Sequence, residues 1–136
     1  MRVVIDTNVL VFGLLSPHGP PGRTVDLIVN GGLFPLYDDR ILDEYRAVLR
    51  RERFGFSRED VRDLLEQLEA VGEAVSADPR SGELPEPDDR PFLEVAASGR
   101  ARFLVTGNQP DYDPISGTHS VPVVSPRRLI DEVREE

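Results

Sequence analysis

Arg2-Val3-Val4-Ile5-Asp6-Thr7-Asn8 is the stretch on which the reading of this chain turns. Val3, Val4 and Ile5 form a short β-branched apolar run, the composition of a strand buried on both faces in a parallel sheet. The run stops at a carboxylate, then two small polar residues, then apolar Val9-Leu10-Val11-Phe12. In open α/β sheets the carboxyl ends of the strands face the ligand crevice, which places Asp6 where chemistry is usually done. A plainer role is also open: Asp6 or Thr7 as the N-cap of the helix that follows.

Working outward, strand and helix patterns alternate, the signature of a parallel sheet covered by helices. Val9 to Leu15 reads as a short buried helix, closed by the turn-forming run Ser16-Pro17-His18-Gly19-Pro20-Pro21-Gly22. Thr24 to Val29 gives a second helical stripe that Gly31-Gly32 stops. A strand is expected over Leu33 to Tyr37. Asp38 or Asp39 then caps a long helix through about Arg53, with Ile41, Leu42, Tyr45, Val48 and Leu49 on one face. Ser57-Arg58-Glu59-Asp60 resembles a capping box opening a helix that carries Val61, Leu64, Leu65, Leu68 and Val71. Val75 marks a short strand, and Asp78 to Pro87 reads as a loop. Phe92 to Ala97 is a small-residue helix, Phe103-Leu104-Val105 a buried strand entering Thr106-Gly107-Asn108, and Val121 to Val124 a last strand. Ser125-Pro126 opens a terminal helix with proline at its preferred first position.

Size and composition narrow the function. With 136 residues and 39% hydrophobic content, a single domain over 1–136 is expected. The absence of cysteine removes disulfides, zinc-thiolate sites and thiol catalysis. No apolar stretch reaches membrane-spanning length, so a soluble, cytoplasmic protein without a membrane partner is expected. Net charge is −9, and all 16 basic residues are arginine. That balance opposes general attraction to nucleic acid, while a local arginine surface still steers phosphates.

Four acids stand at element ends or on faces able to converge: Asp6 after the first strand, Glu44 at the rim of the long helix's apolar face, Asp89 before the alanine helix, and Asp111 beyond Thr106. Singly, each has a structural explanation as cap, solvated residue or turn residue. Together, carboxylates held within a few ångströms repel and raise one another's pKa, a penalty that a divalent cation removes. Hard oxygen donors, with no Cys and two His, favour Mg²⁺ or Mn²⁺ over zinc. A water on such an ion can serve as the nucleophile in phosphodiester hydrolysis.

These residues resemble the PIN-domain ribonucleases, which include VapC-type toxins of toxin–antitoxin pairs. Ile5-Asp6-Thr7-Asn8-Val9-Leu10 looks like the family's opening strand motif with its first acid. Ile41-Leu42-Asp43-Glu44-Tyr45 is similar to the segment supplying the second, and Pro87-Asp88-Asp89-Arg90-Pro91-Phe92-Leu93 resembles the third motif, with Asp89 fitting better than Asp88. Many relatives carry an Asp directly after Thr-Gly; here that position is Asn108. Thr106-Gly107-Asn108-Gln109-Pro110-Asp111-Tyr112 instead fits a Thr-x-Asn-x-x-Asp-aromatic version, which makes Asp111 the fourth acid and Asn108 a neutral ligand or supporting residue.

The resemblance implies a three-layer α/β/α domain around a mainly parallel sheet, and a Mg²⁺- or Mn²⁺-dependent endoribonuclease. Asp6, Glu44 and Asp89 would hold the metal and its water, with Asp111 orienting the nucleophile or a second ion. Thr7, Asn8 and Thr106 would tune these acids through hydrogen bonds. It also implies an RNA substrate, a homodimer and a cognate antitoxin protein. Two rivals accompany this reading. One is an inactive PIN-fold module that binds RNA or protein, favoured by Asn108. The other is a Mg²⁺-dependent phosphatase, disfavoured because Asn8 stands where a second Asp is needed and Lys is absent.

Arg46, Arg50, Arg51 and Arg53, with Arg58 and Arg62, form the densest basic region. Arg46 and Arg50 are candidates for gripping an RNA backbone; the alternative is a solvated face paired with Glu52, Glu59 and Glu66. Arg127 and Arg128 are read the same way. His18 and His119 lie in Pro/Gly-rich loops away from the acids. Gly13, Gly19 and Gly22 lack the strand context of a phosphate loop.

Overall fold

A computed structural model describes residues 1–77, 89–108 and 121–135. The elements run β1 (Arg2–Ile5), α1 (Thr7–Leu15), α2 (Pro20–Val29), β2 (Phe34–Tyr37), α3 (Asp39–Leu49), a 3₁₀ turn (Glu52–Phe54) and α4 (Arg58–Val71). They continue with β3 (Glu73–Ala74), α5 (Arg90–Ser98), β4 (Phe103–Val105), β5 (Val123–Val124) and α6 (Pro126–Arg134).

The strands form one sheet in the order β3-β2-β1-β4-β5, every neighbouring pair parallel. The α/β class expected from the alternating pattern is therefore observed. Val3, Val4 and Ile5 are fully buried, as are Leu104 and Val105 beside them. Helices must cover both faces of such a sheet. α5 packs on β1, β2 and β4, while α2 packs against α1, α4 and α6.

The chain steps from β1 outward to β2 and β3, then returns to the other side of β1 with β4. The strand order thus reverses between β1 and β4. That reversal opens a crevice at the carboxyl ends of the two strands, the preferred ligand position in open α/β sheets. Asp6 immediately follows β1 and Thr106 immediately follows β4, so both stand at its mouth.

Local signals explain most element ends. Asp38 accepts a hydrogen bond from the Ile41 amide, Ser57 from Asp60 and Ser125 from Arg128, each capping its helix. Several boundaries differ from the sequence expectation, α1 starting at Thr7 rather than Val9 and β5 at Val123 rather than Val121 among them. α2 begins at Pro20, inside the segment expected to be a turn, because proline is well suited to the first helical turn. The third strand is Glu73–Ala74, just before Val75. α3 stops at Leu49 rather than near Arg53, and the chain passes through Arg51 in an extended conformation before the 3₁₀ turn. Beyond Leu49 the run Arg50-Arg51-Glu52-Arg53 is exposed and has no apolar side chain to bury, so packing no longer holds a helix there.

Candidate active site

Asp6 is 5% exposed, a buried carboxylate at the crevice mouth. It occupies the N-cap position of α1, yet its side chain makes no capping hydrogen bond. Its carboxylate faces across the strand reversal instead. The Thr106 hydroxyl donates to Asp6 Oδ2 at 2.7 Å, and Asn8 Nδ2 donates to the same oxygen at 3.4 Å. The plain capping role open at the sequence level is therefore not the one Asp6 takes.

Thr106 and Asn8 tie the two strand ends together. Thr106 Oγ1 accepts from the Asn108 amide at 3.1 Å and from Asn8 Nδ2 at 3.5 Å, while Asn8 Oδ1 accepts from the Gly107 amide at 3.0 Å. The Thr106 hydroxyl has one proton, and with both amides donating to its oxygen, that proton points to Asp6. This arrangement is complementary to a charged carboxylate. A Cβ on Gly107 would meet Asn8 Oδ1 at 3.3 Å, a tight approach that the missing side chain relieves.

Glu44 is held from α3 by a neighbouring side chain. The Thr7 hydroxyl donates to Glu44 Oε2, so the residue next to Asp6 in the chain holds the second acid. Glu44 is half-buried and is thus not a freely solvated helix residue. The following residue, Tyr45, is fully buried and its hydroxyl donates to the Ile5 carbonyl, pinning the middle of α3 over the end of β1. Burial pushes the Tyr45 phenol well above its usual range, and the negative charges of Asp6, Glu44 and Asp38 push it further. One buried hydroxyl feels both acids, as expected of carboxylates sharing a neighbourhood.

Asp89 stands at the entrance to α5 and is 9% exposed. It too sits at an N-cap position without a capping hydrogen bond from its side chain. Phe92, in the first turn of α5, places its ring centroid 6.2 Å from that of Tyr45, which packs the start of α5 against the middle of α3. Asp111 lies outside the described residues, as do Asp88, Gln109, Pro110, Tyr112 and His119. Asn108 is exposed, its backbone amide bound to Thr106.

The donor types fit a hard divalent cation: Asp6, Glu44 and Asp89 are carboxylates, Asp6 and Asp89 are buried, and no thiol or imidazole is among them. Among the described residues, no group of three or more His, Cys, Asp or Glu is close enough to hold a metal. Thr7, which bonds Glu44, adjoins Asp6 in the chain, and Asp89 stands at the head of α5.

One buried acid has no place in the sequence expectation. Glu94, on the inner face of α5, is 4% exposed and pairs with Arg40 Nη1 at 2.7 Å. Arg40 also binds Asp38, the cap of α3, at 2.7 Å. This Asp38-Arg40-Glu94 chain clamps the helix carrying Glu44 to the helix that Asp89 leads. The available signal is a glutamate inside the buried stripe Phe92-Leu93-Glu94-Val95-Ala96, which demands a cation partner.

The arginines divide into two groups. Arg46 is occupied by Asp43 and Glu69, both at 3.1 Å, and Arg128 by Glu132 at 2.8 Å. Glu52, Glu59 and Glu66, expected to neutralise the basic region, form no ion pair with it among the described residues. His18 is exposed and away from the acids. No helix of the described residues is long and apolar enough to cross a membrane.

Comparison with known proteins agrees with this fold. An uncharacterized protein, MJ1680, of Methanocaldococcus jannaschii is 26% identical over 143 residues, an alignment covering 97% of this chain and 91% of the relative. A family model described as PIN domain matches residues 2–110, spanning β1 and Asp6, α3 with Glu44, Asp89 with α5, and the Thr106-Gly107-Asn108 strand end. The chain belongs to the PIN domain family, whose members are generally nucleases.

Proposed function

We propose that this protein is a divalent-metal-dependent endoribonuclease, built as a single PIN domain over 1–136. The observation that carries the reading is the hydrogen-bonded set Glu44–Thr7 and Asp6–Thr106–Asn8 at the β1/β4 reversal. Asp6 and Asp89 both stand at N-cap positions, yet neither side chain takes up the capping bond. A carboxylate buried for some purpose other than capping costs stability, which favours a functional reason for keeping it.

Asp6, Glu44 and Asp89, with Asp111, would hold Mg²⁺ or Mn²⁺. When bound, the ion supplies Lewis-acid stabilisation of the phosphoryl oxygens and a water of lowered pKa. The chain's own part is positional. Thr106 and Asn8 orient the Asp6 carboxylate, Thr7 fixes the Glu44 carboxylate, and the Tyr45 hydroxyl anchors the strand end from which Asp6 projects. Asn108 keeps the segment after β4 bound to Thr106.

The finer reading is a toxin of a type II toxin–antitoxin pair, acting in the cytoplasm as a homodimer with a cognate antitoxin. It is supported by the likeness of the motifs to those toxins. Phe12 and Leu15 of α1, 51% and 49% exposed, offer apolar surface for a second chain. A small antitoxin-like reading frame beside the gene would support this role.

A specific observation favours a second reading, a PIN-fold module that binds without cleaving: among the described residues no three acids gather into a metal-holding group. Incubating the protein with a mixed RNA panel in Mn²⁺, and in parallel with EDTA, separates the two. Cleavage that EDTA abolishes is expected. Intact RNA in both arms would favour the binding module.

A further inference from the structure

Beyond the acidic crevice, the strongest unassigned feature is an open groove of about 740 Å³ lined by Arg50, Arg58, Arg62 and Glu59. It lies between the end of α3 and the start of α4. We propose that this groove binds the sugar-phosphate backbone of a single-stranded RNA leading to the acidic crevice. The proposal rests on the ribonuclease reading and adds a substrate-holding surface to it.

Three observations support it. First, Arg50 and Arg58 form no ion pair among the described residues, and Arg62 has only a loose one, 3.7 Å from Asp63. In a chain of net charge −9 with ample carboxylates, unneutralised guanidinium groups facing one groove are unexpected on structural grounds. Their forked donors match phosphate oxygens. Against them stands the single carboxylate of Glu59, so the groove keeps a positive balance.

Second, Arg50 caps the helix that carries Glu44. The Tyr45 bond to Ile5 fixes Glu44 beside the end of β1, and Arg50 follows about 9 Å further along the helix axis. Arg46, one turn before Arg50, is neutralised by Asp43 and Glu69, which moves the phosphate-binding role from Arg46 to Arg50.

Third, the connection from α3 to α4 carries aromatics. Phe54 and Phe56 stack with ring centroids 5.5 Å apart and planes at 15°, and the Arg53 guanidinium lies 4.8 Å over Phe54. Both rings are half-buried and pack against the core, which fixes the connection between the helix ends whose arginines line the groove. A protein partner would require an apolar anchor in the groove, and its lining side chains provide none.

The test measures binding of a fluorescein-labelled single-stranded RNA to the wild-type chain in EDTA, by anisotropy over a salt series. The Arg50→Gln/Arg58→Gln double variant is expected to bind roughly tenfold more weakly at low salt. Its slope of log affinity against log salt should be shallower by about 1.4, the change expected when two phosphates are no longer neutralised. Arg127→Gln/Arg128→Gln, on α6, is expected to match wild type. Unchanged affinity and slope in the first variant, no RNA binding by wild type, or tighter binding of polyglutamate than of RNA would each overturn the proposal. Because no cleavage is needed, arginine-dependent binding without metal-supported cleavage upholds the groove while removing the nuclease reading. Cleavage with no arginine dependence does the reverse.

Discussion

Asp6→Asn is expected to lower Mn²⁺-supported RNA cleavage by at least about a hundredfold, the loss that even an outer partner of a metal ligand can cause. The substitution removes the charge but keeps an oxygen able to accept the Thr106 hydroxyl, now 2.7 Å from Asp6 Oδ2. The fold should therefore survive, with circular dichroism and melting temperature close to the parent's. Helix capping is not what Asp6 serves, since its side chain makes no capping bond to α1. Relief of repulsion toward Glu44 acts in the stabilising direction in metal-free protein. Parent-level cleavage by the variant would show that Asp6 has no part in the chemistry. A collapsed melting temperature would show that its role is structural.

The second large effect is expected at Thr106. Thr106→Val preserves shape and removes one hydroxyl, which donates to Asp6 and accepts from the Asn108 and Asn8 nitrogens. A ten- to hundredfold fall in cleavage is expected, roughly the effect of losing an outer partner of a metal ligand, with restoration by Thr106→Ser. Stability should drop by about 1–3 kcal/mol, because Asp6 and the Asn108 amide lose a shared partner in a buried setting. The serine variant separates the causes: it keeps the hydroxyl but loses a methyl group, so activity follows the hydroxyl and packing follows the methyl. If valine leaves activity and Mn²⁺ dependence untouched, the orientation of Asp6 does not depend on this bond.

Much of the site is legible in the sequence because it is local. Val3-Val4-Ile5 followed by Asp6 reads as a strand end without knowledge of its neighbours, and Thr106 after Phe103-Leu104-Val105 likewise. Which strand ends adjoin is not legible. The β1/β4 reversal is a product of topology, and it alone turns Asp6 and Thr106, a hundred residues apart, into hydrogen-bond partners.

The differences between expectation and structure have similar origins. Pro20-Pro21 resembles a turn because local composition does not distinguish a turn from a proline-led first helical turn. The end of α3 is expected too late because Arg and Glu have good helix propensity, whereas packing ends at Leu49. Tyr45 looks like one more apolar residue on a stripe, although a buried phenol needs an acceptor, found at Ile5. Glu94 is inconspicuous within an alanine-rich helix, because its partner Arg40 lies on another element. Arg46 and Arg50 look equivalent in sequence, whereas Asp43 and Glu69 occupy only the first.

The most direct test of the central claim, that acids from β1, α3 and the head of α5 serve one divalent ion, is calorimetric titration of the wild-type protein with Mn²⁺ beside Asp6→Asn, Glu44→Gln and Asp89→Asn. Saturable binding by the parent, weakened in all three variants, is the predicted result. Parent-like binding in the variants, or no binding by the parent at all, would contradict it.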